Sequence, residues 1–134
     1  MRYILLAAFI AAAAPGMAQT GPRDIRVQSI EELTKTAAEL EEAIKQQPAN
    51  AELYIKLGFT YTRLERADDA QRAFENAARL APGKAITHYM LGLIYEKKGL
   101  KDKAISAWTA CLQTAVEPQM RETARKHLHH LSAN

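Results

Sequence analysis

Three histidines near the carboxyl terminus are the clearest candidates for chemistry in this sequence. His127, His129 and His130 lie close together, and His127 and His130 would share one face of a helix. A metal site needs further Cys, Asp or Glu ligands at suitable spacing, and no such set is evident around them. A polar face on a terminal helix is therefore the favoured interpretation, and a His-rich metal site is kept as the alternative.

Cys111 is the only cysteine, so it cannot form a disulfide within the chain. A redox thiol needs a neighbouring group that lowers its pKa, and the sequence shows none, which favours a buried and inert side chain. A glycine-rich phosphate loop, a serine nucleophile elbow and a pair of catalytic carboxylates are also missing from the sequence. We therefore expect a protein that is not an enzyme and has no cofactor, with a redox thiol at Cys111 as the alternative.

The amino-terminal residues 1–18 have the pattern of a secretory signal peptide. Arg2 precedes an apolar stretch at residues 4–14, which Pro15 ends, and small residues precede a cleavage site before Gln19. The stretch is shorter than the about 20 apolar residues that a membrane-spanning helix needs. We expect cleavage, no membrane insertion of the mature chain, and a periplasmic or secreted location, with an uncleaved anchor as the alternative.

Basic and acidic residues are nearly balanced in number, at 18 and 15. They are interspersed along the chain, so the sequence shows no basic stripe and no polybasic cluster. Such a distribution does not provide the electrostatic surface that nucleic acids require, and we expect no nucleic-acid partner.

Beyond the signal pattern, the chain is predicted to be helical. Residues 19–28 contain Gly and Pro without a clear period and are interpreted as a flexible lead-in. A helix is predicted over residues 29–47, because Ser29 and Glu32 form a capping-box pattern and Pro48 ends the periodic stretch. Its apolar residues at helical spacing are Ile30, Leu33, Ala37, Leu40, Ala43 and Ile44. The later segments are also helical in period, and none alternates with period two, so the predicted fold class is all-α.

From residue 51 the sequence repeats itself after 34 residues. Residues 51–84 and 85–118 each place a Leu-Gly pair in a first helix, then a small residue and an aromatic residue in a second. The matching positions are Tyr54, Leu57, Gly58, Tyr61, Ala70, Phe74, Ala77 and Pro82 in one unit, and His88, Leu91, Gly92, Tyr95, Ala104, Trp108 and Cys111 in the other. This pattern resembles the tetratricopeptide repeat family.

The resemblance implies antiparallel helix pairs that stack as a short right-handed solenoid. Residues 29–47 would be the second helix of a degenerate repeat, and residues 119–131 would form a terminal capping helix. His88 departs from the family's aromatic residue, and we expect it to weaken the packing a little. Pro118 comes two residues later than the family's proline, which blurs where the last helix begins.

In this family the first helix of each repeat lines a concave groove that binds another protein. The resemblance places ten residues there: Glu52, Ile55, Phe59, Thr62 and Arg63 from the first unit, and Ile86, Tyr89, Leu93, Glu96 and Lys97 from the second. Both first helices keep apolar residues outside the core stripe, and a helix with two apolar faces needs cover on both. Family members that bind a chaperone's carboxylates have Lys and Asn at several of these positions. We therefore expect an apolar or amphipathic peptide or helix as the ligand.

The leading hypothesis is a non-catalytic scaffold for protein binding that helps to assemble or localise an envelope complex. Arg63 and Lys97 would form the polar rim of the groove. A homodimer that uses the same groove is an alternative, as is a groove covered by residues 19–28 or by the terminal helix.

Overall fold

Six α-helices make up the described part of the chain, in a computed structural model that covers residues 29–133. Their bounds are Ile30–Gln46 (α1), Ala51–Arg63 (α2), Ala67–Leu80 (α3), Ala85–Lys97 (α4), Lys101–Thr114 (α5) and Pro118–Ala133 (α6). No strand occurs among these residues, and the predicted all-α class is confirmed. None of the six helices is both long and apolar enough to cross a membrane. The signal peptide and the lead-in predicted over residues 1–28 lie outside the described residues.

The helix ends follow from local sequence. Ser29 Oγ accepts the backbone N–H of Glu32 at 3.1 Å, and Glu32 Oε2 accepts the N–H of Ser29 at 3.1 Å, so the predicted capping box is present. α1 ends at Gln46, just before Pro48. At the other end, Pro118 is the first residue of α6, where its missing N–H removes no helical hydrogen bond. The late proline therefore marks the start of the last helix.

Each helix pair is held together by a glycine that faces an aromatic ring. A Cβ on Gly58 would lie 2.7 Å from Phe74 Cζ, and a Cβ on Gly92 would lie 2.5 Å from Trp108 Cε2. Carbon atoms do not approach so closely, so only glycine lets each ring pack directly on the neighbouring helix. Phe74 and Trp108 are completely buried as a result.

The turn inside each pair contains one residue with a left-handed backbone. φ is 71° at Gly99 and 57° at Glu65, 34 residues earlier in the sequence. The backbone N–H of Leu100 donates to Tyr95 O at 2.8 Å, and the equivalent bond closes the first pair. Glycine adopts this conformation without strain, whereas a residue with a Cβ loses about 1 kcal/mol there.

Successive repeats are joined by a hydrogen bond that also recurs after 34 residues. Tyr61 donates its hydroxyl to Glu41, and Tyr95 donates to Glu75 Oε1 at 2.7 Å. Burial, followed by the hydrogen bond to Glu41, raises the pKa of Tyr61 to about 12. Because α1 contacts α2 as α3 contacts α4, the structure supports the interpretation of α1 as half of a degenerate repeat.

His88 makes the same polar contact as the aromatic residue of the first repeat. Tyr54 donates its hydroxyl to Pro48 O at 3.1 Å, and His88 Nε2 lies within hydrogen-bond distance of Pro82 O, at 2.6 Å. Both contacts tie the start of a first helix to the loop before it. The expectation that His88 weakens the packing did not take this bond into account.

α6 occupies the place of a first helix that has no second helix after it. Arg121 Nη1 donates to Leu112 O at 2.8 Å, which ties α6 to the preceding turn as His88 ties α4. Counted from Arg121, the position of Gly92 falls on Arg125, which is exposed. A further helix could not approach α6 as α5 approaches α4, because an arginine side chain stands where even a Cβ would collide with the packed ring.

Candidate partner-binding surface

The first helices of the repeats lie side by side, and α6 continues the row. Lys84 Nζ, at the start of α4, lies 2.7 Å from Glu52 Oε1 in the first turn of α2. His127 Nδ1 of α6 lies 2.7 Å from Glu96 Oε2 in the last turn of α4. These two contacts order the helices as α2, α4 and α6. The ten groove residues assigned by the resemblance all belong to α2 and α4.

Two large apolar side chains on α2 and α4 are exposed. Phe59 and Leu93 each keep 36% of their surface accessible, and they occupy the same position in the two repeats. Phe59 rests edge-on against Phe74, with ring centroids 5.3 Å apart, so its inner edge is packed and its outer surface is open. Exposed apolar side chains at matching positions of adjacent helices form a surface that a partner can cover.

The other apolar residues assigned to the groove offer less surface. Ile55 is only 7% exposed and belongs to the core, while Ile86 and Tyr89 are half-buried. The Tyr89 ring packs edge-on against Trp108, with centroids 5.2 Å apart. The accessible apolar surface is therefore narrower than the full set implies, and it is centred one turn further along each helix.

Glu96 is engaged with the interior and not with an open groove. Its Oε2 accepts the indole N–H of Trp108 at 2.8 Å and lies 2.7 Å from His127 Nδ1. The His127 ring stacks on Trp108, with centroids 4.2 Å apart and ring planes 12° apart. We call these three residues the Glu96 cluster; it joins α4, α5 and α6, so the terminal helix covers the end of the second repeat.

Sequence reasoning missed the Glu96 cluster. Glu96 was assigned to the groove and His127 to a polar helix face, and no period relates either residue to Trp108. One signal was present, since a buried indole N–H usually needs an acceptor. That requirement alone does not identify which carboxylate supplies the acceptor.

The polar residues of the surface lie at the carboxyl ends of α2 and α4. Thr62, Arg63 and Lys97 are all exposed. The Thr62 hydroxyl donates to Gly58 O at 2.8 Å, so it is turned onto its own helix. Cationic side chains are favoured in the last turn of a helix, where the carbonyl groups point outwards. This end of the surface is therefore basic.

The described residues provide little for catalysis or metal binding. Within residues 29–133, no group of three or more His, Cys, Asp or Glu side chains is placed to hold a metal ion. Cys111 is completely buried, and burial raises the pKa of its thiol, which disfavours the reactive thiolate. His127 and His130 line an open cavity of about 370 Å³ together with Glu96 and Lys126.

Comparison with known proteins bears on this arrangement. A family model described as tetratricopeptide repeat matches residues 55–110, which contain both Leu-Gly pairs and both buried aromatic rings. This chain is a tetratricopeptide repeat protein. Such repeats generally serve as non-catalytic adaptors that bind other proteins through the surface of their stacked helices.

Two proteins of Pseudomonas aeruginosa are similar to this tetratricopeptide repeat chain. The crystal structure of PcrH covers 82% of this chain and 98% of its own, with a TM-score of 0.56 and 14% identity, a likeness that shows the fold alone. The cytochrome c-type biogenesis protein CycH is 49% identical over 53 residues. That match covers 40% of this chain, and the chain spans only 12% of CycH.

Proposed function

We propose that this protein is a non-catalytic adaptor that binds an apolar or amphipathic helix of another protein across α2 and α4. The observation that carries the proposal is the exposure of Phe59 and Leu93, each 36% accessible at the same position of the two repeats. A helix whose apolar residues recur every three to four positions can contact both side chains with one face. Burying apolar surface stabilises such a complex by about 25 cal/mol for each Å² removed from water.

We further propose that the adaptor works in the cell envelope, in the assembly of a protein complex. The signal-peptide pattern over residues 1–18 supports the location. The similarity to a cytochrome c-type biogenesis protein supports an assembly role and makes cytochrome maturation a specific candidate. We expect the protein isolated from its native cell to begin at Gln19, which amino-terminal sequencing of the mature chain will test.

Site-specific photo-crosslinking tests the binding surface. A photoreactive residue at Phe59 or Leu93 should capture a foreign envelope protein, which mass spectrometry identifies. The matched control is the same residue at Ser106, which is exposed on α5, a second helix outside the proposed surface. We expect no capture of that protein from position 106.

The purified partner then allows the contact to be measured. We expect the combined change of Phe59→Ala and Leu93→Ala to weaken binding about tenfold or more, since both anchors are lost. Capture of only the same chain, with a dimer mass in solution, would instead support the homodimer. Equal capture from positions 59, 93 and 106 would contradict a specific surface.

A further inference from the structure

We propose that the bound helix is acidic and that one of its carboxylates pairs with Lys97. This inference rests on the proposed function and specifies the chemistry of its ligand. The charges of the surface itself carry the inference. Four of the ten residues assigned to the groove are charged: Glu52, Arg63, Glu96 and Lys97.

Both acidic residues already have partners within the chain. Glu52 Oε1 lies 2.7 Å from Lys84 Nζ. Glu96 Oε2 accepts the Trp108 N–H at 2.8 Å and lies 2.7 Å from His127 Nδ1. Neither carboxylate is available to a basic ligand without breaking an existing contact. A basic helix would therefore gain little from this surface.

Lys97 is in the opposite situation. It is exposed, and within residues 29–133 it has no ion pair or hydrogen bond through its ammonium group. Its neighbour Lys98 points elsewhere, with Nζ 2.6 Å from Asp68 Oδ1 and 2.6 Å from Gln71 Oε1 on α3. Lys97 is thus the cation of α4 that remains for an external carboxylate.

The position of Lys97 relates its charge to the apolar contact. Lys97 follows Leu93 by four residues on α4, so the two side chains share one helix face. A ligand that covers Leu93 therefore brings its own next turn close to Lys97. A glutamate one turn from a ligand leucine meets both requirements at once.

A second cation increases the positive potential at this end. Lys126 of α6 lines the cavity that also contains Glu96 and His127. Its nearest carboxylate, Glu122, lies 3.9 Å away, and both side chains are more than half exposed, at 75% and 54%. Exposed ion pairs at this distance are weak, so Lys126 keeps most of its attraction for an acidic ligand.

Two designed helical peptides test the inference with the mature chain. Both carry the same leucine face, and the residue one turn beyond the central leucine is Glu in one peptide and Gln in the other. Fluorescence anisotropy measures their Kd. We expect the Glu peptide to bind about two- to fivefold more tightly at low salt, and the preference to vanish at roughly 0.5 M salt.

Variants of Lys97 locate the effect. Lys97→Gln should abolish the preference for the Glu peptide, and Lys97→Glu should reverse it. Lys103→Glu is the matched control, because Lys103 lies over the Tyr95 ring, with Nζ 5.6 Å from the ring centroid, away from the proposed surface. It makes the same change in net charge and should leave the preference intact. Circular dichroism checks that each variant is folded.

The outcomes separate this inference from the proposed function. Equal binding of the two peptides, or a preference that Lys97→Gln leaves unchanged, would overturn the inference while the adaptor function stands. If neither peptide binds and the chain forms a dimer instead, the proposed function itself fails. An equal loss of preference in Lys103→Glu and Lys97→Glu would show an effect of net charge and would also overturn the role of Lys97.

Discussion

The two complete repeats have the same internal contacts and different surfaces. In both, a glycine faces a buried aromatic ring and a tyrosine binds a glutamate of the preceding helix pair. The surface positions differ, because Thr62 of the first repeat corresponds to Glu96 of the second, which belongs to the Glu96 cluster. The contacts that build the fold thus recur, while neighbouring positions are used once for exposure and once for joining the terminal helix.

The aromatic residue of the second helix should produce the largest difference between the repeats. Trp108→Ala removes a completely buried ring together with its contacts to Tyr89, Glu96 and His127. We expect a loss of about 3–5 kcal/mol in the free energy of unfolding, measured by urea denaturation. Trp108→Phe, which restores the residue type of the first repeat, should recover most of it. A loss no larger than that of Tyr89→Ala would contradict the central role of this ring.

The glycine that faces this ring should be the next most sensitive position. Gly92→Ala places a Cβ 2.5 Å from Trp108 Cε2, and we expect a net loss of about 1–3 kcal/mol despite the better helix propensity of alanine. Gly83→Ala is the control, since a Cβ there meets nothing within 4 Å. Thermal denaturation compares the two variants. Equal stability would show that the ring can shift without cost.

The tyrosine contacts between repeats predict a loss of stability in alkaline solution. The folded-state pKa of Tyr61 is about 12, above the value near 10 of an exposed tyrosine. Its contribution is complete below pH 10 and is lost as the pH rises towards 12, because the unfolded chain ionises first. We expect Tyr61→Phe to remove about 1–2 kcal/mol of this pH dependence, measured by urea denaturation between pH 9 and roughly 12. An unchanged pH profile would contradict the raised pKa.

The turn positions should produce the smallest difference. Glu65→Gly gives the first pair the residue that Gly99 provides in the second, at a φ of 57°. We expect a gain of about 0.5–1 kcal/mol in the free energy of unfolding, because the left-handed strain disappears. Glu65→Ala, which keeps a Cβ, serves as the control and should not be stabilised. A loss of stability in Glu65→Gly would show that the glutamate makes a compensating contact.

Much of the fold could be predicted because the repeat is periodic. The Leu-Gly pairs, the buried aromatic residues and the capping box at Ser29 each depend on spacing within a short stretch of chain. The start of α6 at Pro118 was uncertain, since the proline stands two residues later than the family pattern. Local spacing is sufficient for elements and insufficient for their exact limits.

The surface could be predicted less well, because accessibility depends on neighbours that are distant in sequence. Ile55 and Tyr89 occupy the same repeat position, yet Ile55 is buried in the core and Tyr89 is half-buried. The stack of His127 on Trp108 joins two helices whose relative rotation no sequence period determines. The exposure of Phe59 and Leu93 likewise became apparent only from the packed structure.

Arg125 has a consequence for the modular growth of such proteins. A stack of identical repeats has no inherent length, since each unit offers the next one the surface that it received itself. In this chain a single side chain in place of glycine interrupts that succession, so the number of repeats is limited by one position of α6. Grafting a third repeat onto the carboxyl end would therefore begin with Arg125→Gly, before any change to the helices that follow.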